Sequence, residues 1–351
     1  MAKAPKKTAA KKAKTKAKKV ARKAVKTTAA ANKAAVKKTA VKKATTKAKK
    51  AVAKTGAPKK AKQKKSSAKK DKKVKGYGGG VDVVMSVDQV AKEAASIAAN
   101  APTHKELLKL AKSDPLLTIN ALRAGYGKME ILHDFTLEVG RGQSLCLIGP
   151  NGAGKSTVLH SIFGFTNIFS GSISIGGKDV TNLTPSQKLA EAGIAYILQD
   201  KSVFPQMTVE ENLLMGGFLK NKPLEAKAAA EMVFDKYSRL AERRDKPAGV
   251  LSGGERRLLE ISRALVMNPE VLLVDEPSIG LEPRFIDMVF EILSDLQQKD
   301  GKTIIMVEQN AKKGLSFADI GYVLVSGETA IADFGDDLLE NPDVGRLFLG
   351  G

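Results

Sequence analysis

The sequence predicts an α/β fold: a mostly parallel sheet flanked by helices, a helical segment inserted into it, and a basic tail in front. Three observations carry that prediction. Short apolar runs of strand character alternate with helix-period segments from Leu116 onwards, the pattern of a parallel sheet joined by helical crossovers. The stretch from about 206 to 264 contains no strand candidate. The charge, finally, is unevenly placed: of a net +22 over 351 residues, residues 1–75 carry +30 and the remainder −8. That division excludes a uniformly basic globular protein whose folded surface is a nucleic-acid platform.

Residues 1–75 are low-complexity Lys/Ala with Thr and Val, without an aromatic residue. Dense like charge repels itself, and too little apolar surface is present to offset chain entropy. Residues 1–80 therefore read as a disordered basic tail closed by the Gly-rich joint Gly76-Tyr77-Gly78-Gly79-Gly80. Residues 81–115 read as a short helical linker, with Val87, Val90, Ala94, Leu107 and Leu110 at amphipathic spacing and Asp114-Pro115 as its stop. A chain starting at Met85 would still contain the whole folded body, 116–351.

Within that body, Leu117-Thr118-Ile119-Asn120-Ala121-Leu122 and Phe135-Thr136-Leu137-Glu138-Val139 alternate as half-buried strands do. Further strands are expected at 144–148, 172–176, 194–198, 271–275, 303–307 and 321–325. Helices are expected at 155–164, 208–220, 224–242, 253–267, 283–299 and 309–317. The single cysteine, Cys146, lies in the apolar run Ser144-Leu145-Cys146-Leu147-Ile148 and reads as a buried thiol. It can form no intrachain disulfide, which fits a reducing compartment. No run approaches the ~18–20 apolar residues of a membrane span, and the N-terminus lacks a signal-peptide core.

Three motifs carry chemistry. Gly149-Pro150-Asn151-Gly152-Ala153-Gly154-Lys155-Ser156-Thr157 follows an expected strand and opens an expected helix, the context a phosphate-binding loop requires. Its backbone N–H groups can cradle phosphate oxygens, Lys155 can reach the β/γ-phosphates, and Ser156 can ligate Mg²⁺. Val271-Leu272-Leu273-Val274-Asp275-Glu276 reads as a buried strand ending in two carboxylates, at the edge where open α/β sheets bind ligands. Asp275 is placed to hold Mg²⁺ and Glu276 to orient or deprotonate an attacking water. Leu251-Ser252-Gly253-Gly254-Glu255 opens a long helix. A second phosphate cradle makes most sense if Ser252, Gly253 and Gly254 serve a nucleotide held by another subunit.

In this order and spacing, the three motifs resemble an ATP-binding-cassette (ABC) ATPase over the entire body, 116–351. The resemblance implies a P-loop core with an antiparallel β subdomain and an inserted helical subdomain at about 206–264. It implies that Tyr126 stacks on adenine, that Gln199 senses Mg²⁺ and the attacking water, and that the chain beyond Gln199 touches a transmembrane partner. It further implies head-to-tail dimers in which ATP acts as glue and hydrolysis as release, with ATP and Mg²⁺ as the bound groups. Two positions depart from the family's broad pattern. Glu282 stands where many relatives have Asp, and Gln309 where many have a γ-phosphate-contacting histidine; a glutamine can donate a hydrogen bond there but cannot become cationic.

Val307-Glu308-Gln309-Asn310 and the ending Asp343-Val344-Gly345-Arg346-Leu347-Phe348-Leu349-Gly350-Gly351 resemble the LivF-type branch of branched-chain amino acid importers. The implied partners are an identical or related ATPase, permease subunits and, indirectly, a periplasmic binding protein. The implied place is the cytoplasmic face of the inner membrane. Related importers of urea, amides or other amino acids share the pattern. The tail lies outside this resemblance and looks like the Lys/Ala-rich tails of linker histones. DNA and anionic lipid are both targets its charge would suit, and a merely solubilising tail is the third reading. Two competing functions remain on the sequence: a soluble cassette ATPase recruited by its tail to nucleic acid or ribosomes, and a nucleic-acid binder with a regulatory cassette.

Overall fold

The computed structural model describes residues 102–111, 115–199 and 202–349. The expectations for the tail at 1–80, and for the linker at 81–101 and 112–114, lie outside the described residues. What is described of the linker is one helix, α1 (His104–Leu110), opened by a capping box in which Glu106 bonds back to Thr103. Leu107 and Leu110 bury themselves in the main core, and Gln143 Nε2 donates to Leu110 O at 3.1 Å. Two buried leucines contribute roughly 3–6 kcal/mol against exposure.

The described residues form two sheets. The antiparallel one has the order β2-β1-β4-β5, from β1 (Pro115–Tyr126), β2 (Met129–Gly140), β4 (Asn167–Ile175) and β5 (Lys178–Asp179). The core sheet has the order β10-β9-β3-β8-β7-β6: β3 (Ser144–Ile148), β6 (Ile194–Ile197), β7 (Val271–Asp275), β8 (Thr303–Val307), β9 (Ile320–Val325) and β10 (Glu328–Phe334). All neighbours in it pair parallel except β9 with β10. Every residue of β3, β7, β8 and β9 is buried, which is why these strands read as unbroken apolar runs while β1 and β2 alternate.

Helix α2 (Lys155–Phe163) touches β1, β2 and β4 on one side and β6, β7 and β8 on the other. It thus fills the space between the sheets and fixes the phosphate loop at its own start. Between β6 and β7 the chain leaves the sheet to form α4 (Val209–Gly216), α5 (Pro223–Lys236), α6 (Ser238–Ala241) and α7 (Gly253–Leu265). These helices enclose a core of their own around Leu213, Phe234, Leu240 and Leu259. The far face of the core sheet is covered by α8 (Pro283–Gln298), α9 (Ala311–Phe317) and α10 (Gly335–Glu340), with the short α11 (Pro342–Val344) after them.

Several boundaries differ from the sequence reading, each for a local reason. The helix expected over 208–220 stops at Gly216, because Gly217 leaves helical dihedrals at φ −91° and ψ 12° and turns its N–H back to Leu214 O. The one expected over 224–242 breaks at Tyr237, whose φ of −124° and ψ of 84° are not helical. The one expected from 309 starts at Ala311, since the Asn310 side chain caps it by accepting from Lys313 N. Helix α3 (Pro185–Ala190) and strand β10 were not anticipated.

Candidate functional site

The site forms where the carboxyl ends of β3, β7 and β8 meet. Gly149 leaves β3 with φ +142°. A Cβ there would stand 2.2 Å from Leu324 O, so only glycine lets the loop pass β9. Gly152 and Gly154 also take positive φ, and the loop runs directly into α2. Lys155 is 8% exposed, and its Nζ donates to Gly149 O at 2.9 Å and Pro150 O at 3.0 Å. Burial holds its pKa below the ordinary lysine range, while Glu276 and Asp275 pull the other way.

Asp275 is buried, and both its oxygens are engaged: Oδ1 accepts from Ser156 Oγ at 3.2 Å and Oδ2 from Tyr196 OH at 2.8 Å. Glu276 takes φ +42°, a conformation costing about 1–3 kcal/mol for a residue with a Cβ. Its N–H donates to Val307 O at 2.9 Å, and its Oε2 accepts from Gln199 Nε2 at 2.7 Å. Burial first, then the neighbouring Asp275 and Glu308, raises its pKa above the ordinary carboxylate value. Four of the expected residues, Ser156, Gln199, Asp275 and Glu276, therefore meet in two hydrogen-bonded pairs.

Tyr126 ends β1, is partly exposed, and its hydroxyl bonds His160 Nδ1 on α2. His160 stands edge-on to Tyr196 and Phe165, which links Tyr126 to the Asp275 partner through one aromatic cluster. Gln309 is exposed and lies two residues beyond Val307, the register partner of Asp275. Ser252 caps α7 with a capping box to Glu255. Gly254 packs on Phe285, where a Cβ would fall 2.2 Å from the ring. No side-chain hydrogen bond among the described residues joins 252–254 to 149–157.

Sequence reasoning missed Tyr196, His160, Arg257 and Glu308. Arg257 is buried on α7; it donates to Leu198 O at 2.8 Å, Glu260 at 2.8 Å and Asp275 O at 3.4 Å. One cation thereby ties the helical segment to the residue before Gln199 and to the end of β7. A charged residue inside the buried stripe of an amphipathic helix was the available signal. Cys146 is buried as expected, and burial raises its thiol pKa.

A family model described as ABC transporter matches residues 132–279. The high-affinity branched-chain amino acid transport ATP-binding protein BraG of Pseudomonas aeruginosa is 42% identical over 236 residues, covering 67% of this chain and all of that one. The chain belongs to the ATP-binding subunits of ABC transporters. A probable branched-chain amino acid transport ATP-binding protein LivF of Archaeoglobus fulgidus is 37% identical, over 65% of this chain and 96% of its own length. Among solved structures, a nucleotide-free ATP-binding cassette from an ABC transporter superposes with a TM-score of 0.60 at 29% identity, over 68% of this chain and 100% of that one. The ABC match contains the phosphate loop, Gln199, Ser252–Gly254 and the Asp275-Glu276 pair.

Proposed function

We propose that this ABC ATPase is the ATP-hydrolysing subunit of an importer for branched-chain amino acids. ATP hydrolysis is carried by one observation: Ser156 with Asp275 and Gln199 with Glu276, residues 119 and 77 positions apart, pair at one sheet edge beside the phosphate loop; the cargo class rests on the likeness to BraG and LivF. In this assignment 149–157 and Lys155 bind the phosphates, and Tyr126 holds the base. Glu276 orients and deprotonates the attacking water, its raised pKa favouring proton acceptance. Gln309 donates to the γ-phosphate. Ser252, Gly253 and Gly254 complete the site of a second subunit, identical or related, so that ATP joins two cassettes and hydrolysis parts them.

The donor set suits Mg²⁺. Ser156, Asp275 and Gln199 offer hard oxygen ligands, and among the described residues no three His, Cys, Asp or Glu gather into a metal cluster of their own. A cation held there must complete its shell with phosphate oxygens and water, as Mg²⁺ does. When bound, it would neutralise charge developing on the phosphates.

The permease partner is supported by large apolar side chains left exposed between β6 and β7: Phe218 and Leu224 at 77% and 78%, with Phe204, Met215 and Val250. Exposed apolar surface of this kind marks an interaction face. No described helix is long and apolar enough to cross a membrane; peripheral attachment through a permease at the cytoplasmic face of the inner membrane accords with that. Residues 116–351 are proposed as the ATP-binding domain and 1–75 as a polyanion-binding tail, for DNA or anionic lipid.

Glu276→Gln should abolish turnover in steady-state assays while ATP binding persists; wild-type hydrolysis in that variant would sink the assignment. Deleting 1–75 should leave hydrolysis intact and remove salt-sensitive binding to DNA and acidic vesicles. Undiminished binding by the truncated chain would refute the tail's part.

A further inference from the structure

We infer that Glu308 is a positioning residue that locks the chain segment after Glu276 to the backbone carrying Gln309. The inference rests on the proposed assignment of Glu276 and Gln309 to the ATP site. Glu308 directly follows the fully buried β8 and is itself 2% exposed. One of its oxygens, Oε1, accepts three hydrogen bonds: from Ser278 Oγ at 2.7 Å, Gln309 N at 2.9 Å and Asn310 N at 3.0 Å. The other, Oε2, is buried and has no hydrogen-bond partner among the described residues.

The geometry makes β8 the common support of two segments. Asp275 pairs with Val307 in register, and Glu276 N donates to Val307 O at 2.9 Å. Ser278, two residues further, reaches Glu308. The chain on both sides of the Glu276 side chain is thus fastened to consecutive residues of one strand end. Glu276 needs that fastening, because its φ of +42° is unfavourable for a residue with a Cβ. The same carboxylate oxygen accepts from the backbone N–H groups of Gln309 and Asn310, so a displacement of Ser278 pulls on the group that holds Gln309.

A purely stabilising role accounts poorly for this arrangement. A buried carboxylate oxygen without a donor is costly, and buried ionic groups are often replaceable by apolar ones without loss of stability. Three donors gathered on one oxygen serve instead to couple the segments that supply them. Glutamine at 308 keeps an acceptor oxygen for all three donors, whereas alanine removes it.

The test uses the full-length chain, with ATP turnover measured against ATP concentration, fluorescent ATP-analogue binding and thermal melting. Glu308→Ala should lower kcat roughly tenfold and Ser278→Ala roughly threefold, the sizes expected for lost hydrogen bonds to a charged acceptor. KM and analogue affinity should stay within about twofold, because the phosphate loop is untouched. Glu308→Gln should recover about half of wild-type turnover or more. The double variant should be no slower than Glu308→Ala, since both changes cut the same link.

Wild-type kcat in Glu308→Ala beside an inactive Glu276→Gln would overturn the inference and leave the ATP site standing. So would a Glu308→Gln as slow as the alanine variant, or equal losses in kcat, affinity and melting temperature. Should Glu308→Ala fail to fold, Ser278→Ala decides alone, and an unaltered kcat there counts against the proposal. An active Glu276→Gln overturns the site assignment and the inference with it.

Discussion

The edge of the core sheet and the helical segment between β6 and β7 are built on opposite terms. The edge is rigid and strained: Gly149 at φ +142° and Glu276 at φ +42° hold conformations that the surrounding strands enforce. Its polar groups are spent on one another, in the Ser156–Asp275, Tyr196–Asp275 and Gln199–Glu276 bonds. The helical segment is relaxed and partly unfinished. Capping boxes at Thr208 and Ser252 set its helices, and Phe218 and Leu224 are left in solvent. Chemistry requires groups that do not move; docking requires surface that is not yet covered. Arg257, on α7 but bonded to Leu198 O and Asp275 O, is the described joint between the two.

That contrast can be broken at the edge first. Gly149→Ala must place a Cβ against Leu324 O at a backbone angle that alanine resists. We expect loss of measurable ATP binding and a destabilisation of roughly 2–4 kcal/mol, read by calorimetry and thermal melting. A variant that bound ATP normally would show the edge to be less constrained than its dihedrals imply.

In the helical segment an equally drastic change should leave the chemistry alone. Phe218→Asp alters a side chain that is 77% exposed, so turnover of the isolated chain should stay within about twofold and melting should hardly move. Capture of permease subunits should be lost. A fall in basal turnover would instead tie this surface to the site.

The smallest effect sharpens the comparison through pH. Arg244 Nη2 bonds Glu210 at 2.5 Å and Glu231 at 2.6 Å, and these bonds hold both carboxylates below their ordinary pKa. Carboxylates so depressed add stability above their unfolded value of about 4.5 and lose it as pH falls through the folded one. Arg244→Ala should therefore lower the melting temperature by at most about 2 °C at pH 7, and the two proteins should converge once the pH has fallen through the depressed pKa of both carboxylates. A gap that persisted in acid would mean that Arg244 acts through packing on Phe234, over which its guanidinium lies at 4.7 Å.

Much of the site was legible because its signals are local. The loop glycines, Lys155 and Ser156 are consecutive, and a buried parallel strand announces itself as the apolar run Val271 to Val274. Helix α3 had a local signal too, Thr184-Pro185 with Gln187, which forms a capping box. Strand β10 had a local signal as well, the two-residue turn Ser326-Gly327 that joins it to β9, but its residues are only partly covered and show no clean alternation. Tyr196, Arg257 and Glu308 escaped notice for a different reason: each is polar, each is placed by one short segment, and each also bonds a group supplied by a distant one, Asp275, Leu198 and Ser278 respectively.

The sequence by itself determined the parallel core, the phosphate loop, the carboxylate pair that ends β7 and the family, since these depend on residues adjacent in the chain or on the period of a single element. Only the tertiary structure decided that Gln199 meets Glu276, that Asp275 shares its two oxygens between Ser156 and Tyr196, and that Glu308 gathers Ser278 and Gln309 on one oxygen. Hydrogen bonds reach about 3 Å, whereas the segments they join here lie 30 to 119 residues apart. Distance along the chain carries no information about a contact of that range; the sheet order, which brings β3, β7 and β8 side by side, supplies it.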